Sequence, residues 1–312
     1  MPIFTIIFPV FAIAGIGYAL TFFGVFTMQH IGGLSRYVFV VAIPVLLFRS
    51  LATIALPEQI EWEFLLSYYL AALLIYGLSM LASRLLFGHS LQEQGIFGMG
   101  SAYSNLVLVG LPIILRAFGD DAALPMFLLI SFHGAIIFFV VTAVSELGDS
   151  QANSLGQTAV LTLKNLAKNN IIAALMLGLL FNRLAIPLPD FIDSTLETIS
   201  RSALPCALFV LGASLTQYKL SGQLGESAAI LFFKLLLHPL FAYFFAFIVF
   251  DLSPLWGSVV VVGASLPVGI NTYVFAEKYE TGIATTATAV LLSTLAATIT
   301  LPIALSLFIP AG

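Results

Sequence analysis

Two stretches of the chain place hydroxyls, amides and helix-breaking residues inside otherwise apolar runs, GSAYSNLVLVGLP and GASLPVGINTYVF. Serine hydroxyls and asparagine amides are neutral hydrogen-bonding groups, and a broken helix exposes an N-terminus whose partial positive charge attracts anions. The chemistry expected here is the binding of a small anion such as a carboxylate. The candidate binding residues are Ser101, Ser104, Asn105, Ser265, Pro267 and Asn271, and the candidate helix breakers are Gly100, Gly110, Pro112, Gly263 and Pro267.

These residues also have simpler interpretations. An asparagine inside a membrane can join two helices by a hydrogen bond, which contributes about 0.6 kcal/mol on average. The serines can satisfy backbone groups that the prolines leave free. Ligand contact and helix packing therefore both remain open for Asn105 and Asn271.

A second candidate is the pair Lys234 and His238, which lie four residues apart on one helix face inside an apolar run. An ionisable group at such depth is costly and is treated as functional by default. We expect Lys234 to balance the charge of an anionic ligand or to change its protonation, with His238 as a second titratable group. The alternative is a structural ion pair or a lysine that reaches the membrane interface. His133 is interpreted as a hydrogen-bonded packing residue.

The composition shows what must position these groups. Of the 312 residues, 60% are hydrophobic and 8% are charged, whereas soluble domains carry about 25% charged residues. Apolar runs near the length that crosses a hydrocarbon core recur along the chain, so the fold class is an all-α polytopic membrane protein with short loops. The ten predicted spans are 3–26, 33–52, 62–87, 94–115, 122–147, 170–188, 196–216, 226–250, 257–278 and 283–309.

The two halves of the chain resemble each other. Gly17 aligns with Gly178 and Pro44 with Pro205 at an offset of 161 residues, and Gly100 aligns with Gly263 at an offset of 163. Five spans in each half make the second half enter the membrane in the opposite sense, which is an inverted repeat of the kind found in secondary transporters. The predicted parts are a first repeat at 1–147, a cytoplasmic connector at 148–169 and a second repeat at 170–312.

Other function classes find little support in the sequence. No His-Glu-x-x-His or Gly-x-Ser-x-Gly motif and no pair of aspartate-rich motifs indicates an enzyme. A channel would be favoured by a filter-like repeat or a ring of charges, and neither is visible. A net charge of −4 without a basic patch gives no indication of a nucleic-acid partner, and no cofactor or metal is expected. A secondary carrier is the leading interpretation, with an ion or solute channel, or less plausibly an intramembrane enzyme, as the alternative.

The chain resembles the bacterial members of the auxin efflux carrier family, which are often labelled malonate or organic-anion permeases. The stretch LPVGINTYVFAEKYE is similar to the family pattern Pro-x-x-x-Asn-x-Tyr-x-x-Ala-Glu-x-Tyr, and SNLVLVGLP is similar to its Asn-x(4)-Gly-x-Pro signature. KLLLHP, from Lys234 to Pro239, matches the lysine and proline of the family's eighth span. The chain departs from the family at Leu-Val-Leu, where Gly-Phe is usual.

The resemblance implies ten helices in two inverted five-helix repeats, with broken, crossing helices at positions four and nine. It also implies movement of an organic anion, such as a carboxylate, across the bilayer by alternating access. A proton or a sodium ion is left open as the coupling partner, and a homodimer as the oligomeric state. The expected location is the bacterial inner membrane.

The positive-inside rule predicts the orientation. Six basic residues lie in or beside the loops that join spans 1 and 2, 3 and 4, 5 and 6, 7 and 8, and 9 and 10, and four lie beside the other loops. This excess places both termini outside and the connector in the cytoplasm. A cysteine introduced as Gln157→Cys into a Cys206→Ser chain should react with an impermeant maleimide only after permeabilisation of the cells. Labelling of intact cells would reverse the assignment.

Overall fold

The computed structural model describes residues 3–56, 61–147, 168–218 and 224–309, together with positions 156, 157, 160, 164 and 220. Every regular element in that part of the chain is a helix. The helices are α1 (Ile3–Phe22), α2 (Met28–Thr53), α3 (Glu63–Phe87), α4 (Leu91–Ala102), α5 (Leu106–Phe118), α6 (Asp120–Leu147), α7 (Asn170–Arg183), α8 (Asp190–Leu215), α9 (Leu224–Val249), α10 (Pro254–Ser265), α11 (Asn271–Lys278) and α12 (Ile283–Ser306).

Seven helices in the described ranges are long and apolar enough to cross a membrane, namely α1, α2, α3, α6, α8, α9 and α12. Three shorter apolar helices, α5, α7 and α10, account for the rest of the apolar segments found there. This confirms an all-helical protein with several membrane-capable helices. Most of the predicted connector, 148–169, lies outside the described residues.

Two predicted boundaries are wrong at the start of the second half. The helix predicted at 170–188 ends at Arg183, because Pro187 and Pro189 follow closely and the residue before a proline avoids helical geometry. The next helix begins at Asp190 rather than near 196, and its first turn carries Asp190 and Asp193. Acidic side chains there complement the partial positive charge of a helix N-terminus.

Three of the prolines inside helices are preceded by wide turns, whereas Pro9, Pro205 and Pro302 lie within regular α-helix. π-Helical turns cover Val38–Ala42, Leu106–Gly110 and Phe233–Leu237, and each ends two residues before a proline, namely Pro44, Pro112 or Pro239. A proline removes one backbone hydrogen bond and crowds the preceding turn. The wider turn re-pairs the backbone there, as when the N–H of His238 donates to the carbonyl of Phe233.

The helices pack in two groups. In the first group, α1 packs along α8, and the second half of α2 packs along α7 and α8. In the second group, α3 packs on α4 and α10, α4 packs on α6, and α9 packs on α10 and α12. The candidate binding residues belong to the second group.

Two glycines of the proposed repeat make equivalent contacts in the first group. A Cβ on Gly17 of α1 would collide with the carbonyl oxygen of Phe209, and a Cβ on Gly178 of α7 would collide with that of Phe48. Each glycine thus lets its helix approach the backbone of the partner helix, as small residues do in membranes. Phe48 and Phe209 are separated by the same 161 residues as Gly17 and Gly178.

Gly17→Val should destabilise the protein by about 1–3 kcal/mol, because the added side chain meets backbone that cannot rotate away. Thermal or detergent unfolding of the purified protein measures this change. Gly15→Val is the matched control on the same helix, since no atom lies within 4 Å of its Cβ position. Equal unfolding of the two variants would show that the contact of α1 with α8 is not close.

Candidate binding site

The backbone leaves helical geometry in both stretches that the sequence singled out. The first interruption, 103–105, separates α4 from α5, and the second interruption, 266–270, separates α10 from α11. The two lie against each other as a short antiparallel bridge between Ser104 and Val268. The Asn105 N–H donates to the carbonyl of Pro267 over 3.0 Å, and the Gly269 N–H donates to that of Tyr103 over 2.9 Å.

Side chains of neighbouring helices satisfy further backbone donors of the interruptions. The N–H of Ser104 donates to Nε2 of His133 on α6, and the N–H of Val268 donates to Oγ of Ser293 on α12, each over 3.0 Å. The side-chain oxygen of Asn105 accepts from the N–H of Leu108 in the first turn of α5. Unpaired backbone groups are costly away from water, so these caps allow irregular backbone at this position.

The ammonium of Lys234 joins the two interruptions. Its Nζ donates to Oγ of Ser104 over 2.7 Å and to the carbonyl of Ala264 at the end of α10 over 2.8 Å, and it lies 3.1 Å from Nδ1 of His238. Three acceptors match the three protons of an ammonium group. A cation at the carbonyl end of α10 is also favourable for the helix dipole.

Lys234 has no negatively charged partner. Its side chain is completely buried, and among the residues that the structure describes no carboxylate lies within ion-pairing distance of Nζ. The two alternatives from the sequence, a structural ion pair and a lysine reaching the interface, are therefore wrong. The hydroxyl of Tyr68 donates to the same Ser104 oxygen, so neutral groups alone surround the charge.

A central cavity of about 530 Å³ opens beside the interruptions. Its lining comes from both interruptions, from the segment just before α7, and from α2, α5, α6, α7, α8 and the start of α11. Its polar lining includes Tyr103, Asn105, His133 and Asn271, and Nδ2 of Asn271 donates to the hydroxyl of Tyr103 over 2.9 Å. The volume falls within the range of about 300–1,000 Å³ that small-molecule sites occupy.

Two buried donors at this cavity have no partner. Nδ2 of Asn105 is unpaired in the described part of the chain, and so is Nδ1 of His133. The tautomer of His133 follows from its other contact, because Nε2 accepts the Ser104 N–H and so carries no proton. The neutral ring must then carry its proton on Nδ1. Both groups are N–H donors that lack an acceptor.

The family comparison agrees with this geometry. A family model described as "Membrane transport protein" matches residues 2–305. The chain belongs to this family. A relative from Rhizobium meliloti (strain 1021), described as "Putative malonate transporter", is 24% identical over 274 residues, which are 88% of this chain and 86% of the relative. The resemblance seen in the sequence motifs is thereby confirmed.

The other candidate residues of this membrane transport protein lie outside the lining of the central cavity. The hydroxyl of Ser101 donates to the carbonyl of Phe97, and that of Ser265 donates to the carbonyl of Val261, each within its own helix. Pro267 contributes its carbonyl to the bridge. Lys234 and His238 do not line the cavity. Lys234 contacts it indirectly, by a hydrogen bond to Ser104, and His238 contacts Lys234.

The glycines predicted to break the helices of the transport protein have other positions. Gly100 and Gly263 lie within regular turns of α4 and α10, and each precedes its interruption by three residues. Gly110 ends a π-helical turn, and a Cβ there would lie 2.5 Å from the side chain of Leu266. Pro112 occupies the first turn after that π-helical turn. The glycines thus permit close packing beside the interruptions.

His133 is the residue that sequence reasoning underrated. The structure confirms a hydrogen-bonded packing role, since its ring stacks on Tyr103 at 4.5 Å between centroids. The same residue also lines the central cavity of the transport protein, and its Nδ1 is buried without a partner in the described residues. A histidine deep in a membrane span is itself the signal that could have identified it.

Proposed function

We propose that this protein is a secondary carrier that moves a small carboxylate across the membrane by alternating access. The observation that carries the proposal is a cavity lined by Asn105 and His133, each with a buried side-chain nitrogen that has no partner among the described residues. Beside it lies the buried Lys234 side chain, which has no carboxylate within ion-pairing distance in the same part of the chain. Such a site attracts a negatively charged acceptor of hydrogen bonds. The description of the Rhizobium meliloti relative as a "Putative malonate transporter" supports a carboxylate as the substrate.

The binding mode follows from these groups. One carboxylate accepts hydrogen bonds from Nδ2 of Asn105 and Nδ1 of His133, while the Asn271 amide and the Tyr103 hydroxyl bind or orient the remainder. Lys234 contributes its charge through Ser104 without touching the ligand. The N-termini of α5 and α11 begin at this point and add partial positive charge.

Two cavities support alternating access. A far cavity of about 630 Å³ contacts Leu46 and Arg49 of α2 and Leu204 of α8, whereas the central cavity contacts Phe39 of α2 and Val210 of α8. The two cavities therefore approach the same helices at different heights, and both lie where the two helix groups meet. We propose that relative movement of these groups opens one cavity and then the other.

We also propose ten spans in two inverted repeats. Seven long helices and three shorter apolar helices add to ten, and α5 and α10 are each part of an interrupted span. The equivalent contacts of Gly17 and Gly178 support the repeat. The proposed location is the bacterial inner membrane, with the connector in the cytoplasm and both termini outside.

The alternatives differ from a carrier in a measurable way. A channel passes solute down its gradient, and an intramembrane enzyme changes the solute chemically. A carrier exchanges labelled solute outside for unlabelled solute inside with saturable kinetics. Counterflow of radiolabelled malonate in proteoliposomes, with recovery of unchanged malonate, therefore separates the three classes.

Asn105→Asp should weaken malonate binding by about tenfold or more, because it replaces the free N–H donor by a negative oxygen, and hydrogen bonds to charged groups contribute about 1.5–3 kcal/mol. The aspartate retains an oxygen that can cap Leu108, so the fold should remain. Asn271→Ala should weaken binding in the same direction. The stabilisation of purified protein by malonate in a thermal-shift titration measures the affinity.

Ser101→Ala is the matched control, because its hydroxyl is bonded within α4 and does not line the central cavity. It should bind malonate as wild type does. Wild-type affinity in both Asn105→Asp and Asn271→Ala would remove these amides from the site and leave them as packing residues.

A further inference from the structure

A second buried polar cluster lies away from the central cavity. Glu226, near the start of α9, is only 7% exposed. Its Oε2 accepts a hydrogen bond from the hydroxyl of Thr285 on α12 over 2.7 Å, and its Oε1 lies 3.2 Å from Nε2 of His89, which precedes α4. A side cavity of about 300 Å³ adjoins these three residues. The cluster therefore joins three separate parts of the chain.

The charges of this cluster are not balanced. No lysine or arginine in the described ranges pairs with Glu226, and its only ion-pairing partner there is His89. Of the titratable side chains in the described part, His89, Glu93 and Glu226 line the side cavity, while α12 contributes hydroxyls. The carboxylate of Glu93 already accepts hydrogen bonds from the N–H and the hydroxyl of Ser90. With a neutral His89, the pair of His89 and Glu226 thus carries one negative charge.

The neutral ring of His89 can bind one further proton. Nε2 faces the Glu226 carboxylate and donates to it, so the neutral ring has a lone pair on Nδ1. That nitrogen is buried and lacks a partner in the described residues. The ring also contacts Phe87 and Phe97, whose faces favour a cation. A proton on Nδ1 would form an imidazolium beside the carboxylate and bring the pair to zero net charge.

We infer that His89 and Glu226 form a proton site that couples proton movement to transport. The proton enters from the side cavity, binds Nδ1 of His89, and leaves from the same atom when the pair separates. This inference rests on the proposed function, since it names the driving ion of the same carrier. Histidine is suited to the task because its charge changes near neutral pH.

Packing connects the proton site to the two interruptions. Phe97 contacts the His89 ring and belongs to the same buried cluster as Ile230 and Val268. Val268 forms the bridge with Ser104, and a Cβ on Gly100 would lie 3.2 Å from Ile230. A packed set of side chains therefore extends from the proton site to the two interruptions, and we infer that it carries movement of α4 relative to α9 between them.

The test uses proteoliposomes and radiolabelled malonate in sodium-free buffer. Counterflow at equal pH needs no driving ion, whereas accumulation under an acid-outside pH gradient does. His89→Gln and Glu226→Gln should show counterflow as wild type does. Their ratio of malonate inside to malonate outside should be lower than that of wild type by about tenfold, in line with typical coupling energies. The exposed Glu280 supplies the control, and Glu280→Gln should behave as wild type. If Glu226→Gln aggregates, His89→Gln decides alone, because the glutamine amide can still donate a hydrogen bond to the buried Glu226 carboxylate.

Infrared difference spectra between pH 8 and pH 5.5 test the proton site without any substrate. Subtraction of the His89→Gln difference spectrum from that of wild type should leave an imidazole signal, whereas subtraction of the Glu280→Gln spectrum should leave none. Wild-type accumulation in both variants, accumulation driven only by a sodium gradient, or unchanged spectra would overturn the proton site. A wild type that has this signal but shows no malonate counterflow would instead reject malonate transport and leave the proton site standing.

Discussion

The buried ammonium of Lys234 is the interaction on which the centre of this protein depends. It bonds Ser104 of the first interruption and Ala264 at the end of α10, so one side chain links the two broken segments. A full charge without a counter-ion inside a membrane is costly. Three acceptors, Oγ of Ser104, the Ala264 carbonyl and Nδ1 of His238, match the three protons of the ammonium form. Under the proposed function, the group that links the two segments also makes the adjacent cavity suitable for an anion.

Irregular backbone in a membrane requires a partner for each freed group, and this requirement generates the site. The interruptions bond each other, and His133 and Ser293 cap the remaining N–H groups that face α6 and α12. In this arrangement, Nδ2 of Asn105 and Nδ1 of His133 have no partner in the described residues, and both residues line the cavity. Under the proposed function, a carboxylate completes this hydrogen bonding, and one arrangement then serves both the stability of the interruptions and ligand binding.

Much of this centre could be predicted from local chemistry. Pro267, Asn105 and Asn271 marked the interruptions, because helix breakers and amides occur together in these two apolar stretches. The exact break could not be read from Gly100 and Gly263, since a glycine tolerates both a helix and a turn and here serves close packing. The contacts of Lys234 with Ser104 and Ala264, and the tautomer of His133, depend on residues 29 to 130 positions away. No periodicity in a single sequence gives such contacts, whereas His238 could be placed beside Lys234 from its spacing. The ten-span repeat itself remains a prediction.

The most direct test of this account is the affinity of Lys234→Met for malonate, measured by calorimetry. Methionine has a similar length and no charge, and Leu236→Met on the exposed face of the same helix is the control. The account predicts a folded variant whose affinity is weaker by about tenfold or more, because the variant lacks the positive charge that attracts the anion from beside the cavity. Wild-type affinity in folded Lys234→Met would contradict the claim that this ammonium makes the site an anion site.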